Sequence, residues 1–104
     1  MKRIGFIMKL LPGHAAEYIK RHDEIWPELI SLLKTSGIRD YSIFLDESTN
    51  QLFGYLKIEE ERKLDKLSDE PVMRKWWTYM KDIMETHEDA SPVSLSLQEV
   101  FYLP

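Results

Sequence analysis

His22 is the side chain of this sequence best suited to move a proton near neutral pH. It follows Tyr18 by four residues, and positions four apart on a helix share a face. Both polar aromatic groups therefore point along the stripe traced by Ala15, Tyr18, Ile19, His22 and Trp26. Tyr41, in an alternating segment at 38–45, is placed on the apolar side of the sheet that this stripe faces. Two readings fit. One is acid–base catalysis by His22, with a tyrosine to orient or relay. The other is a hydrogen-bonded core histidine between two core tyrosines, and the residues alone leave both open.

Trp76 and Trp77 form a second unusual cluster. Adjacent helix residues are about 100° apart, so the two indoles cannot share one narrow stripe. With Met73, Tyr79, Met80 and Met84 nearby, that helix is apolar over a wide arc. Either both tryptophans are core or dimer contacts, or they wall a ligand with an apolar face, such as a sugar. An indole N–H would then donate to a hydroxyl.

Other candidates carry less. His14 and His87 stand in polar, turn-like surroundings, and no HxH or HxxxH pair exists. With no cysteine either, neither a metal site, a disulfide nor a thiol nucleophile is expected. The run Glu59–Lys63 reads as a solvated helix start. No Gly-rich phosphate loop or GxSxG turn is present, so nucleotide chemistry has no support and no cofactor is expected.

The elements that must position these groups follow from periodicity. Ile4, Phe6, Met8 and Leu10 alternate, predicting a strand over 2–10, and Pro12–His14 turn the chain. A helix follows, broken near 24–26 because Pro27 suits the first position of a new segment, which Gly37 stops. Strands are predicted at 38–46 and 51–58, and a short helix at 60–67 with Leu64 and Leu67 inward. Pro71 then opens a helix carrying Val72, Trp76, Met80 and Ile83. A loop spans 85–92, and a last strand spans 93–101 with Val93, Leu95 and Leu97 alternating. The order strand, helix, strand, strand, helix, strand is a ferredoxin-like βαββαβ arrangement of the α+β class, an antiparallel sheet with helices on one face.

A chain of 104 residues is read as one domain, 1–104. The second sheet face would carry Ile7, Phe44, Phe53, Tyr55, Val100 and Tyr102, too apolar for a solvated surface, and a second copy of the sheet would cover it as a homodimer. A net charge of -4 lacks the basic footprint of a nucleic-acid binder. The apolar run after Lys2 and Arg3 is interrupted by Lys9 and too short for a signal peptide, and no stretch approaches a membrane span. The absence of cysteine fits a reducing compartment, so a cytoplasmic location without membrane or nucleic-acid partners is expected.

Four blocks carry a resemblance over nearly the whole chain: R-H-x-x-I-W-P-E-L at 21–29, G-I-x-x-Y-S-I-F-L at 37–45, K-W-W-x-Y-M at 75–80, and S-P-V-S at 91–94 with the ending E-V-F-Y-L-P. In this order and spacing the sequence resembles the L-rhamnose mutarotase family. The resemblance implies a dimeric α/β-barrel isomerase that interconverts the α and β anomers of L-rhamnose. It implies that His22 is the proton donor and that Tyr18, Tyr41, Trp76 and Trp77 contact the sugar. His87 and Leu64 depart from relatives that often carry Asn and Trp there, outside the site motifs. Mutarotation opens the hemiacetal, turns the C1 carbonyl about C1–C2 and recloses, a task for positioned acid–base groups without a metal. The alternatives on the same fold are a non-catalytic sugar-binding or regulatory module and a cofactor-free monooxygenase.

Overall fold

A computed structural model describes residues Met1–Pro104. In chain order the elements are β1 (Lys2–Lys9), α1 (Ala15–Asp23), α2 (Pro27–Thr35), β2 (Ile38–Asp46), β3 (Gln51–Ile58), α3 (Arg62–Lys66), a 3-10 turn (Leu67–Asp69), α4 (Pro71–Met80) and β4 (Ser94–Leu97). The strands form one sheet in the order β2-β3-β1-β4, with every neighbouring pair antiparallel. This is the expected ferredoxin-like α+β arrangement. No helix is long and apolar enough to cross a membrane.

The prolines set two helix starts. Trp26 and Glu70 are held extended, at ψ 133 and ψ 126, because the ring of a following proline excludes the helical conformation. Pro27 and Pro71 then occupy first helical turns, where a missing N–H costs nothing. The break between α1 and α2 thus leaves Trp26 outside α1, although its ring still points inward. Gly37, at φ +88, ends α2 in the left-handed region that a side chain disfavours.

The helical face of the sheet is the core. Met8, Leu10 and Leu52 meet Tyr18 of α1, Leu29 of α2 and Met73, Trp76 and Met80 of α4. Leu10, Leu29, Leu52, Ile58 and Ile83 have essentially no exposed surface. Each such side chain contributes roughly 1.5–3 kcal/mol of burial. Gly54 is required by a close approach: a Cβ there would lie 2.2 Å from the ring of Phe6, which covers this part of β3.

Strand β2 contains a bulge. Ile38 pairs with Ile58 and Arg39 with Lys57, but the next aligned pair is Ser42 with Tyr55. Asp40 and Tyr41 therefore oppose Leu56 alone, and Asp40 adopts a φ of 51. The extra residue lets both Ile38 and Tyr41 face the helices, although they are three apart in sequence.

Three expectations need correction. The last strand is Ser94–Leu97, not 93–101, and its register places Leu95 opposite Ile7 and Leu97 opposite Gly5, on the open face. Beyond Leu97 the chain is tied to β1 by side chains instead of a ladder: Arg3 donates twice to Glu99, at 3.0 and 2.7 Å, and lies over the ring of Tyr102. Helix α4 ends at Met80, so Ile83 is buried from the following turn, where its carbonyl accepts from the N–H of Leu11. Ile19, placed on the inward stripe by its spacing, is 53% exposed on the outer side of α1.

Candidate active site

Five side chains singled out in the sequence, Tyr18, His22, Tyr41, Trp76 and Trp77, line one cavity of about 100 Å³ between the sheet and helices α1 and α4. Each arrives from an element shaped for it. Tyr18 and His22 lie one turn apart on α1. Tyr41 follows the β2 bulge, and its ring meets Phe6 edge-on at 6.1 Å, over the space Gly54 leaves open. Trp76 and Trp77 lie on α4.

The imidazole is held from three sides. Its ring stacks on Tyr18 with centroids 4.2 Å apart, and meets Trp76 edge-on at 5.4 Å. Nδ1 lies 3.0 Å from the carbonyl oxygen of Tyr18. A carbonyl only accepts, so Nδ1 carries the hydrogen in this bond and Nε2 is left for a ligand. Burial holds the His22 pKa below its ordinary value, against the opposing pull of the Tyr18 carbonyl and of Asp23. The ring is therefore neutral at pH 7, with a lone pair on Nε2.

Both phenols stay protonated at that pH. Burial pushes the Tyr18 hydroxyl well above the usual tyrosine value, with a further push from Tyr41. Burial alone pushes Tyr41 up to about 12. Tyr41 is 39% exposed as a whole residue, although its hydroxyl is desolvated. The imidazole and the two phenols thus supply the cavity with one proton acceptor and two O–H donors, to which Thr86 adds a third hydroxyl.

The two tryptophans differ. Trp76 is only 6% exposed and is wedged edge-on between His22 and Trp26, which lies 5.1 Å from it. Trp77 is half-buried. Much of the remaining wall escaped the sequence reading. Met8 and Ile43 come from the sheet, and Met73, Met80 and Met84 form a thioether side. The 85–92 loop supplies Thr86, Ala90 and Pro92. A bridge between Thr86 and Pro92 closes this loop, and Ala90 is buried at φ 71, a left-handed conformation that costs about 1–2 kcal/mol. Apolar spacing on α4 hinted at the methionines, but no local pattern marks a loop that folds back over a cavity.

His14 stands at the N-cap of α1 and His87 is exposed in the loop, both away from this cavity. A larger hollow of about 290 Å³ lies on the open sheet face, between β1 and the C-terminal residues. Its charged groups, Arg3 and Glu99, satisfy each other, and it contains no imidazole. The cavity at His22 is therefore the one equipped for proton transfer.

Comparison with known proteins agrees in extent. The L-rhamnose mutarotase family model matches residues 3–103. An L-rhamnose mutarotase of Oceanobacillus iheyensis is 53% identical over 103 residues, covering 99% of each chain. One of Sinorhizobium fredii is 54% identical with the same coverage. The crystal structure of an L-rhamnose mutarotase from Formosa agariphila superposes over 100% of both chains with a TM-score of 0.93 at 45% identity. A dimeric ferredoxin-like protein from an uncultured marine organism shares the fold alone, with a TM-score of 0.58 at 14% identity over 97% of this chain and 96% of its own. Full-length matches of sequence and structure lead to one conclusion: the chain belongs to the L-rhamnose mutarotase family.

Proposed function

We propose that this chain is an L-rhamnose mutarotase and that His22 moves the proton. The observation that carries the reading is His22 Nδ1 held 3.0 Å from the Tyr18 carbonyl in a residue that lines one cavity with Tyr18 and Tyr41, which leaves Nε2 free of that bond. In the proposed mechanism Nε2 takes the proton from the anomeric hydroxyl as the C1 carbonyl forms and the C1–O5 bond breaks. The imidazolium then delivers that proton to O5. O1 and O5 are both bonded to C1, so one imidazole can serve both in turn, acting first as base and then as the proton donor. Rotation about C1–C2 followed by the reverse steps yields the other anomer. Tyr18 and Tyr41 hold the sugar oxygens by donating hydrogen bonds, and the Trp77 face and the methionine side receive its apolar surface. The reaction already proceeds in water, so the 10²–10⁴-fold that positioned acid–base groups supply suffices.

Two coarser proposals accompany this. The open sheet face binds a second copy of the chain, because Phe44 (67% exposed) and Leu95 (63% exposed) extend the apolar set formed by Ile7, Phe53 and Tyr55. A cysteine-free sugar isomerase of this size fits the cytoplasm.

Magnetisation exchange between the α and β anomeric protons of L-rhamnose tests the function. The expected result is an exchange rate that rises in proportion to protein concentration. Sugar binding without accelerated exchange would make the chain a sensor or regulator instead.

A further inference from the structure

Helix α1 carries both Tyr18 and His22, yet its backbone makes no close approach to another element. Only Tyr18 of its residues is buried. Rotation of α1 about its axis must therefore be set by side chains. Arg21, adjacent to His22, is the one that reaches furthest. Its side chain is 10% exposed, and all three of its guanidinium nitrogens donate hydrogen bonds. Nε donates to Glu17 one turn earlier, at 2.7 Å. Nη1 donates to the Tyr79 carbonyl at 2.7 Å, at the C-terminal end of α4, where helix carbonyls lack partners. Nη1 and Nη2 grip Asp82 at 2.9 and 3.1 Å, and the guanidinium carbon sits 4.5 Å from the Tyr79 ring centroid.

These contacts close a circuit. Tyr79 stacks on Trp26 at 5.6 Å, Trp26 meets Trp76 edge-on at 5.1 Å, and Trp76 meets His22 edge-on at 5.4 Å. The circuit begins and ends at neighbouring residues of α1. Side chains of adjacent helix residues diverge by a fixed angle of about 100°. Fixing the direction of Arg21 against the end of α4 therefore fixes the direction of His22 against Trp76.

We propose that Arg21, gripping Asp82 and the Tyr79 carbonyl, is a positioning residue that sets the placement of His22 relative to the α4 wall. The inference rests on the mutarotase reading for its catalytic consequence. Asp82 is 64% exposed, so neutralising it strands no buried carboxylate, and Arg21→Lys keeps a cation at the 10% exposed position, which lets melting temperature and placement be read separately. Lysine cannot reproduce the fork, because it presents a point charge instead of a planar set of donors.

The test uses Asp82→Asn and Arg21→Lys, with Ile58→Val as a packing control in the second core cluster, away from the cavity. Anomer exchange is measured per folded molecule across L-rhamnose concentrations, and NOEs between the His22 and Trp76 rings are recorded on the same samples. Misplacement of a reacting group by about 1 Å costs up to 10²-fold. Both clamp variants should therefore lose roughly 10-fold or more in kcat, with KM changed far less. Their His22–Trp76 NOEs should weaken, while Ile58→Val loses melting temperature with normal kcat and NOEs. Unchanged NOEs in folded clamp variants, or an equal kcat loss in Ile58→Val at a similar drop in melting temperature, would overturn the proposal. If the wild type fails to exchange anomers, the mutarotase reading falls, and the NOEs still decide whether Arg21 positions His22.

Discussion

His22 stacks on the ring of Tyr18 at 4.2 Å while Nδ1 donates to the carbonyl of the same residue at 3.0 Å, so one residue fixes both the plane and the tautomer of the imidazole. His22→Gln keeps polarity and approximate size but cannot act as an acid or base near neutral pH. Anomer exchange should fall by roughly 10²-fold or more. Melting temperature should fall only modestly, through loss of the ring's packing on Tyr18 and Trp76, so exchange is measured per folded molecule. A well-folded variant with near-normal exchange would take His22 out of the mechanism and direct attention to the two tyrosines.

The pH dependence has a defined direction. Burial lowers the His22 pKa, so on acidification the folded protein takes up this proton later than the unfolded chain does. Below the ordinary value of about 6.5 the unfolded state binds more protons, and the stability linked to His22 declines from there toward the depressed folded value. Exchange should hold steady down through neutrality, and its acid limb should have a midpoint under about 6.5. Rate–pH profiles and titration of the His22 ring by NMR check this. A midpoint above neutrality would mean that the resting ring is a cation.

The tryptophans should separate by burial. Trp77→Phe keeps a stacking surface and removes one N–H, which should weaken L-rhamnose binding by ~1 kcal/mol with little loss of stability. Trp76→Phe should also lower melting temperature, because Trp76 is 6% exposed and packs on Trp26 and His22. Indole fluorescence should respond to the sugar in the wild type. Silence there, with unchanged kinetics in both variants, would return these side chains to a purely structural role.

Light scattering after size exclusion should give about twice the 12.4 kDa chain mass. Phe44→Glu or Leu95→Glu would place a charge in the middle of the proposed interface and should yield monomers, since an unpaired buried carboxylate is strongly disfavoured. A wild-type monomer at micromolar concentration would contradict the proposed interface.

Much of this was legible in the sequence because local rules and tertiary structure agree. Pro27, Gly37 and Pro71 mark element ends through backbone geometry alone, strand 51–58 alternates cleanly, and strand 38–46 does so beyond its bulge. Tyr18 and His22 were legible as a pair because helical spacing is rigid. What escaped depends on partners far along the chain. Leu95 and Leu97 face the open side because of their pairing with Ile7 and Gly5, and alternation alone cannot say which face is which. Arg21 lies inside a quoted sequence block, but its role needs Asp82 and Tyr79, about sixty residues later.

The bulge in β2 carries a consequence for how such a protein responds to selection. Removing Asp40 would leave Ile38, Ile43 and Leu45 on their present faces and give Leu56 a single regular rung with Tyr41. It would also relieve the residue held at φ 51. The shortened strand should be the more heat-resistant one, sacrificing only the Asp40–Lys57 ion pair at the surface. A bulge re-aims the side chain beside it, so the same deletion should shift Tyr41 within the cavity and lower the proposed anomer exchange. Selection for thermal endurance alone would discard this residue, and selection for turnover would retain it.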